Sequence, residues 1–178
     1  YSFLPLTTPL NDAHEMSFRL QLAGYKVTHL NDQKQSEMYD ATDRFFLESA
    51  DAQVVLVYYA GHAVQVNGRN FLIPVDMKKN TSDMLSRMFD LRYLLNKLTE
   101  SPAENKVVIL DACRDNPCSK NPNASSGLSE LIAPSGTFVA FSTAPGWTAE
   151  DGDGDNCPYT TALIDTVFRP GFEIEDAF

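Results

Sequence analysis

The chain predicts an α/β protein with a mainly parallel sheet flanked by helices. Two observations carry this. Apolar runs of strand length, at 54–59 and 107–110, alternate with stretches of helical period, and such alternation builds βαβ units. The two runs also end alike, in Ala60-Gly61-His62 and Asp111-Ala112-Cys113, so the carboxyl ends of two strands deliver a histidine and a cysteine.

Residues 1–11 contain Pro5 and Pro9 and read as a loop. A helix is expected from Asp12: Asp12 and Glu15 have capping-box spacing, and Ala13, Met16, Leu20 and Ala23 recur at helical intervals until Gly24. Residues 25–30 alternate and predict a short strand. A second helix is expected over 33–49, with Met38, Ala41, Phe45 and Ser49 on one face. The apolar strand at 53–59 follows. Beyond His62, the runs 64–66 and 69–75 flank Asn67-Gly68, a pair that favours a two-residue hairpin turn. Residues 78–86 are polar and read as a loop. Leu91, Leu94, Leu95 and Leu98 fit the i, i+3, i+4, i+7 pattern and predict a third helix ending near Ser101-Pro102. The cysteine strand occupies 106–112. Residues 114–129, rich in Asn, Pro, Ser and Gly, read as a long loop, and a second loop at 144–156 follows a strand at 137–142. Pro158 opens a last helix with Tyr159, Leu163 and Val167 in register.

At 178 residues the chain is one domain's worth, and 43% hydrophobic content suffices for one core. Neither an internal repeat nor an interdomain linker is visible. The net charge of −10, with no run of lysine and arginine, argues against nucleic acid as a partner. An acidic surface favours basic ligands, including peptides that carry Arg or Lys. The three cysteines, at 113, 118 and 157, are odd in number and lack metal-ligand spacing. That argues against a disulfide framework and a zinc site, and a reducing compartment fits best. No apolar stretch approaches the roughly 18 residues that span a bilayer, and no signal peptide is recognisable. A cytoplasmic location without membrane association is expected.

Cys113 is the candidate nucleophile and His62 its base, because a thiol needs a nearby imidazole to raise its thiolate fraction and protonate the leaving amine. Backbone N–H groups at Cys113 and just after His62, at Ala63, are candidates to hold the oxyanion. The alternative is a structural cysteine and a strand-end histidine. Asp111 shares a pleat face with Cys113 by period-two alternation, at a position where a carboxylate is costly unless paired. With Asp12 it would make a pocket for a basic side chain; a helix cap for Asp12 and a hydrogen-bonded strand end for Asp111 are the alternatives. The acidic loop 151–156 fails the EF-hand template, with Asn156 at position six and Ala162 at position twelve, so no metal site is expected. Trp147 is a candidate for lining a cleft or for simple packing. Cys118 and Cys157 read as bystanders. No glycine-rich phosphate loop follows any strand, which disfavours a flavodoxin-like binding domain.

The stretches YYAGHAVQVNGRNFLIPVD and VVILDACRDNP, together with NDA and its following helix, STAPG and NCPYTTAL, resemble the p20-type catalytic domain of orthocaspases and paracaspases. These are relatives of metacaspases and caspases in clan CD, peptidase family C14, and the resemblance covers nearly the whole chain. It implies a cysteine-type endopeptidase with a His62–Cys113 dyad on a three-layer α/β/α caspase-hemoglobinase fold. Asp12 and Asp111 match acids that bind a P1 Arg or Lys in the S1 pocket. Caspases that cut after Asp carry a QACxG-type motif; LDACR stands here, so aspartate specificity is not expected. Ala63 stands where the family has Gly, and no acid stands near Trp147-Thr148, where some paracaspases have a third S1 acid. Lys120 falls near a calcium-binding Asp of metacaspases, so no cofactor, calcium included, is expected. The loop 114–129 is a candidate self-cleavage segment, with Lys120 as its site.

Family members begin with an apolar strand before the point where this chain starts, lying between the strands at 25–30 and 53–59, and continue past Phe178 into a helix and a strand. Residues 1–178 therefore read as one p20-type domain lacking its first strand and its last helix and strand, within a longer protein with additional domains. Alone, it would leave sheet edges unpaired. The implied partners are peptide or protein substrates with a basic P1, and a homodimer is the candidate assembly. The rival expectation, which Ala63 keeps open, is a catalytically inactive caspase-like scaffold.

Overall fold

A computed structural model describes residues 5–78, 83–113, 124–125, 128–143 and 153–168, with residues 113, 124 and 125 described in backbone only. At its centre lies β4 (Asn105–Cys113), parallel to β1 (Val54–Val66) on one side and to β6 (Thr137–Phe141) on the other. The continuous Val107-Val108-Ile109-Leu110 run is explained by coverage of both faces, as is usual for parallel strands.

Alternation assigns those side chains to two layers. Val107 and Ile109, with Leu56 and Tyr58 of β1 and Ala140 of β6, face α1 (Pro9–Leu22) and α4 (Pro158–Thr166), which contribute Met16, Leu20 and Leu163. Val108, Leu110 and Ala112, with Val55 and Val57, face α2 (Gln35–Glu48) and α3 (Leu91–Glu100). The four leucines expected to form the buried stripe of α3, Leu91, Leu94, Leu95 and Leu98, do form it. Asp90 starts that helix by accepting a hydrogen bond from the Arg92 backbone N–H at 3.0 Å.

Beyond its parallel part, β1 runs on into a hairpin with β2 (Arg69–Leu72), turned at Asn67 and Gly68. Their φ values of 51° and 73° are those of a type I′ turn, which explains the Asn-Gly pair. β3 (Phe89–Asp90) extends β2, and β5 (Ala124–Ser125) pairs with the end of β1, all antiparallel. The sheet is thus mixed, in the order β3-β2-β1-β4-β6, and the expected parallel arrangement holds for its β1–β4–β6 core.

Two local expectations are corrected. α1 starts at Pro9, with Thr8 as its cap residue, so Asp12 is not a cap. Proline suits the first helical turn because its missing N–H would have no partner there. Glu15 does not close a capping box; it accepts from the Arg19 side chain at 2.7 Å. Residues 25–30 form no ladder, although Val27 packs on the α1 face of the sheet. Alternation makes a strand only where an edge is within reach, and this segment meets none. The edge of β1 opposite β4 has no strand partner over residues 54–61 among the described residues.

Candidate active site

His62 is completely buried near the carboxyl end of the parallel part of β1, and the β1–β4 register makes Cys113 its Cα partner. Neighbouring strands lie about 4.8 Å apart, so the two backbones are adjacent. The His62 carbonyl is held by the Tyr59 hydroxyl at 2.8 Å and by the Ile73 N–H at 2.9 Å. Ala63 is buried in regular strand opposite Leu72, and the positive φ at this corner, 155°, belongs to Gly61. The glycine-only geometry therefore falls two residues before the Ala63 position. Because Ile73 donates to His62, ladder alternation turns the Ala63 N–H away from β2, toward the side on which β4 ends.

Two residues before Cys113, Asp111 faces the α1 and α4 layer and is 4% exposed. Asp12, 1% exposed, lies on the inner stripe of α1 with Met16 and Leu20 and is brought to the same point. A carboxylate oxygen from each, together with Cys157 Sγ, lie within 4.8 Å of one another. Asp12 Oδ1 accepts from the Cys157 backbone N–H and from Asn156 Nδ2, both at 2.9 Å. Asp111 Oδ2 accepts from Cys157 Sγ at 2.7 Å, Thr160 Oγ1 at 2.8 Å and the Tyr58 hydroxyl at 3.4 Å. None of these bonds uses Asp12 Oδ2 or Asp111 Oδ1. Neither acid pairs with a Lys, Arg or His among the described residues.

Burial pushes the Asp12 carboxyl above the usual carboxylate range, against the bonds from Asn156 and Cys157 that favour its ionised form. Burial and the bond to Asp111 push the Cys157 thiol up to about 12, so at neutral pH it is a protonated donor. Burial and the charge of Asp111 likewise raise Tyr58. The arrangement is a buried acidic pocket with no cation among the described residues, beside the paired strand ends that carry His and Cys. Two carboxylates and a thiol are also a donor set that a divalent metal accepts.

The family described as "Caspase domain" (Peptidase C14) matches over residues 1–178. The chain belongs to this caspase family. Among curated proteins, the caspase domain is 31% identical over 109 residues to the human "Mucosa-associated lymphoid tissue lymphoma translocation protein 1" and equally to its Mus musculus homolog. Each match covers 61% of this chain and only 13% of the other protein. Among solved structures, caspase-1 from Spodoptera frugiperda superposes with a TM-score of 0.64 at 18% identity, over 92% of this chain and 62% of that one. That likeness is one of fold: a central mixed sheet between helical layers.

Within the caspase domain, the described residues join Asp12 to Asp111 and align His62 with Cys113. The Cys113 side chain, Cys118, Lys120 and Trp147 lie outside the described residues, as does most of the loop at 114–129. Cys157 is corrected from bystander to a central member of the acidic cluster. A signal for it existed: Pro158 at the first position of α4 makes Cys157 the cap residue, whose N–H and side chain stand at the helix mouth. The sulfur accepts the Thr160 N–H at 3.2 Å in that role. Asp12, a candidate from the sequence, precedes Met16 and Leu20 by four and eight residues and so lies on the buried stripe of α1.

Proposed function

We propose that this caspase domain is a cysteine-type endopeptidase that cleaves after a basic residue, arginine or lysine. In this reading the Cys113 thiolate attacks the carbonyl carbon of that residue, forming a C–S bond. The N–H groups of Cys113 and Ala63 receive the oxyanion. His62 protonates the departing amine as the C–N bond breaks, then takes a proton from the water that hydrolyses the thioester. The P1 cation lies between Asp12 and Asp111.

One observation carries the reading: the paired strand ends that bear His62 and Cys113 adjoin two buried carboxylates that meet no cation among the described residues. Buried charge is costly unless compensated, and a guanidinium or ammonium group supplies the compensation. An aspartate side chain in the same place would add a third negative charge. The fluorogenic test compares peptides that differ only in Arg or Asp at P1, cut by the protein and its Cys113→Ala variant, with and without calcium. Cleavage after Arg alone, lost in the variant, is expected. A folded protein that cuts neither peptide, with Cys113 unreactive toward an arginine chloromethylketone, would leave the domain a scaffold.

A further inference from the structure

The hydrogen bonds that orient the two acids come mostly from one short segment, residues 156–160, at the start of α4. Asn156 and Cys157 hold Asp12 Oδ1, while Cys157 and Thr160 hold Asp111 Oδ2. Thr160 is the hub. It is completely buried; its N–H donates to Cys157 Sγ, and its Oγ1 lies 2.6 Å from the Tyr58 hydroxyl. A threonine hydroxyl has one proton. With that proton on Asp111, Thr160 Oγ1 accepts from the Tyr58 hydroxyl, which also lies 3.4 Å from Asp111 Oδ2, so both hydroxyls converge on that oxygen. Among the described residues the bonds to Asp111 fall on the same oxygen, and those from Asn156 and Cys157 to Asp12 fall on Oδ1.

We propose that Thr160, together with Cys157, is a positioning residue of the basic-side-chain pocket: the first turn of α4 clamps one oxygen of each acid and aims the other at the incoming cation. This rests on the reading of Asp12 and Asp111 as that pocket. A carboxylate already held in its binding rotamer costs the ligand no ordering, and affinity gains accordingly. Removing the Thr160 hydroxyl takes one of its donors from Asp111, which keeps Cys157 Sγ at 2.7 Å, and leaves the buried Tyr58 hydroxyl the longer 3.4 Å contact to Asp111 Oδ2. The effect belongs to cation binding, because the described side-chain bonds of Thr160 reach the acid and Tyr58.

The test uses the full chain and two readouts, calorimetric binding of agmatine, a decarboxylated arginine, and kcat and KM on an Arg-P1 peptide. Thr160→Val keeps the shape and removes the hydroxyl; its agmatine Kd and its KM are expected to rise about tenfold, with kcat within about twofold. Thr160→Ser restores the donor and should return both to within about threefold of the parent. Should Thr160→Val not fold, Cys157→Ala, which removes the thiol donor but keeps the N–H on Asp12, is read instead, with an expected rise in Kd of about threefold. Agmatine binding by a folded Thr160→Val protein at the parent's affinity, alongside loss of binding in Asp111→Asn, overturns the positioning role and leaves the pocket standing. Undiminished binding in Asp111→Asn, or none by the parent, overturns the pocket itself.

Discussion

Burial works against the charge of Asp12. Desolvation raises its folded pKa above the unfolded value, so the folded protein takes up this proton more readily than the unfolded chain. The ionised carboxylate therefore costs stability at neutral pH, and that cost fades as pH falls through the raised pKa. Asp12→Asn keeps an acceptor for Asn156 and Cys157 while removing the buried charge. We expect it to raise the melting temperature at neutral pH by about 2–4 °C and to abolish arginine-dependent cleavage, measured by calorimetry and peptide hydrolysis on one preparation. An unchanged or lower melting temperature would show that the Asp12 charge is fully compensated. An incoming cation favours the ionised form, so the KM for an Arg peptide should climb on acidification at a pH above the ordinary carboxylate range.

At the scale of elements, Asp90 joins the hairpin to α3. Its carboxylate caps the helix through the Arg92 N–H, and ion pairs from Arg69 in β2 and Arg92 in α3 meet on Oδ2. Partial burial raises its pKa, but the bonds from Arg92 and Arg69 outweigh this and hold it below the usual carboxylate value. Its contribution is thus present above the unfolded pKa and is lost as pH falls through the lower folded one. Asp90→Ala removes the cap and both pairs at once; a loss of about 1–2 kcal/mol at neutral pH is expected from urea melts, shrinking at low pH. The partners are partly exposed, so most of that loss belongs to the cap.

For the whole molecule, the edge of β1 matters most. Over residues 54–61 its outer side meets no described strand, and an unpaired apolar strand templates association. The isolated 178-residue chain is expected to self-associate at micromolar concentration and to melt at a concentration-dependent temperature, as read by analytical ultracentrifugation and thermal scans. A monomer with a cooperative, concentration-independent melt would overturn this. The family match extends over all of residues 1–178, whereas the human relative is matched over 13% of its length.

The sequence by itself determined the parallel strand pair and its register-setting ends, the Asn67-Gly68 hairpin and the leucine stripe of α3. In each case the signal is local: an apolar run, a turn that demands positive φ, or a helical period. It also offered His62, Cys113 and Asp111 as candidates, since strand-end residues and a costly buried acid stand out in a short window, while Asp12 came with the NDA motif. The hydrogen bonds that residues 156–160 give to the two acids depend on the tertiary fold. Asp12 and Cys157 are 145 positions apart in the chain and meet because α1 and α4 cover the same face of the sheet. The failure of residues 25–30 to form a strand has the same origin. Pairing depends on an edge that another part of the chain must present, and alternation within six residues carries no information about it.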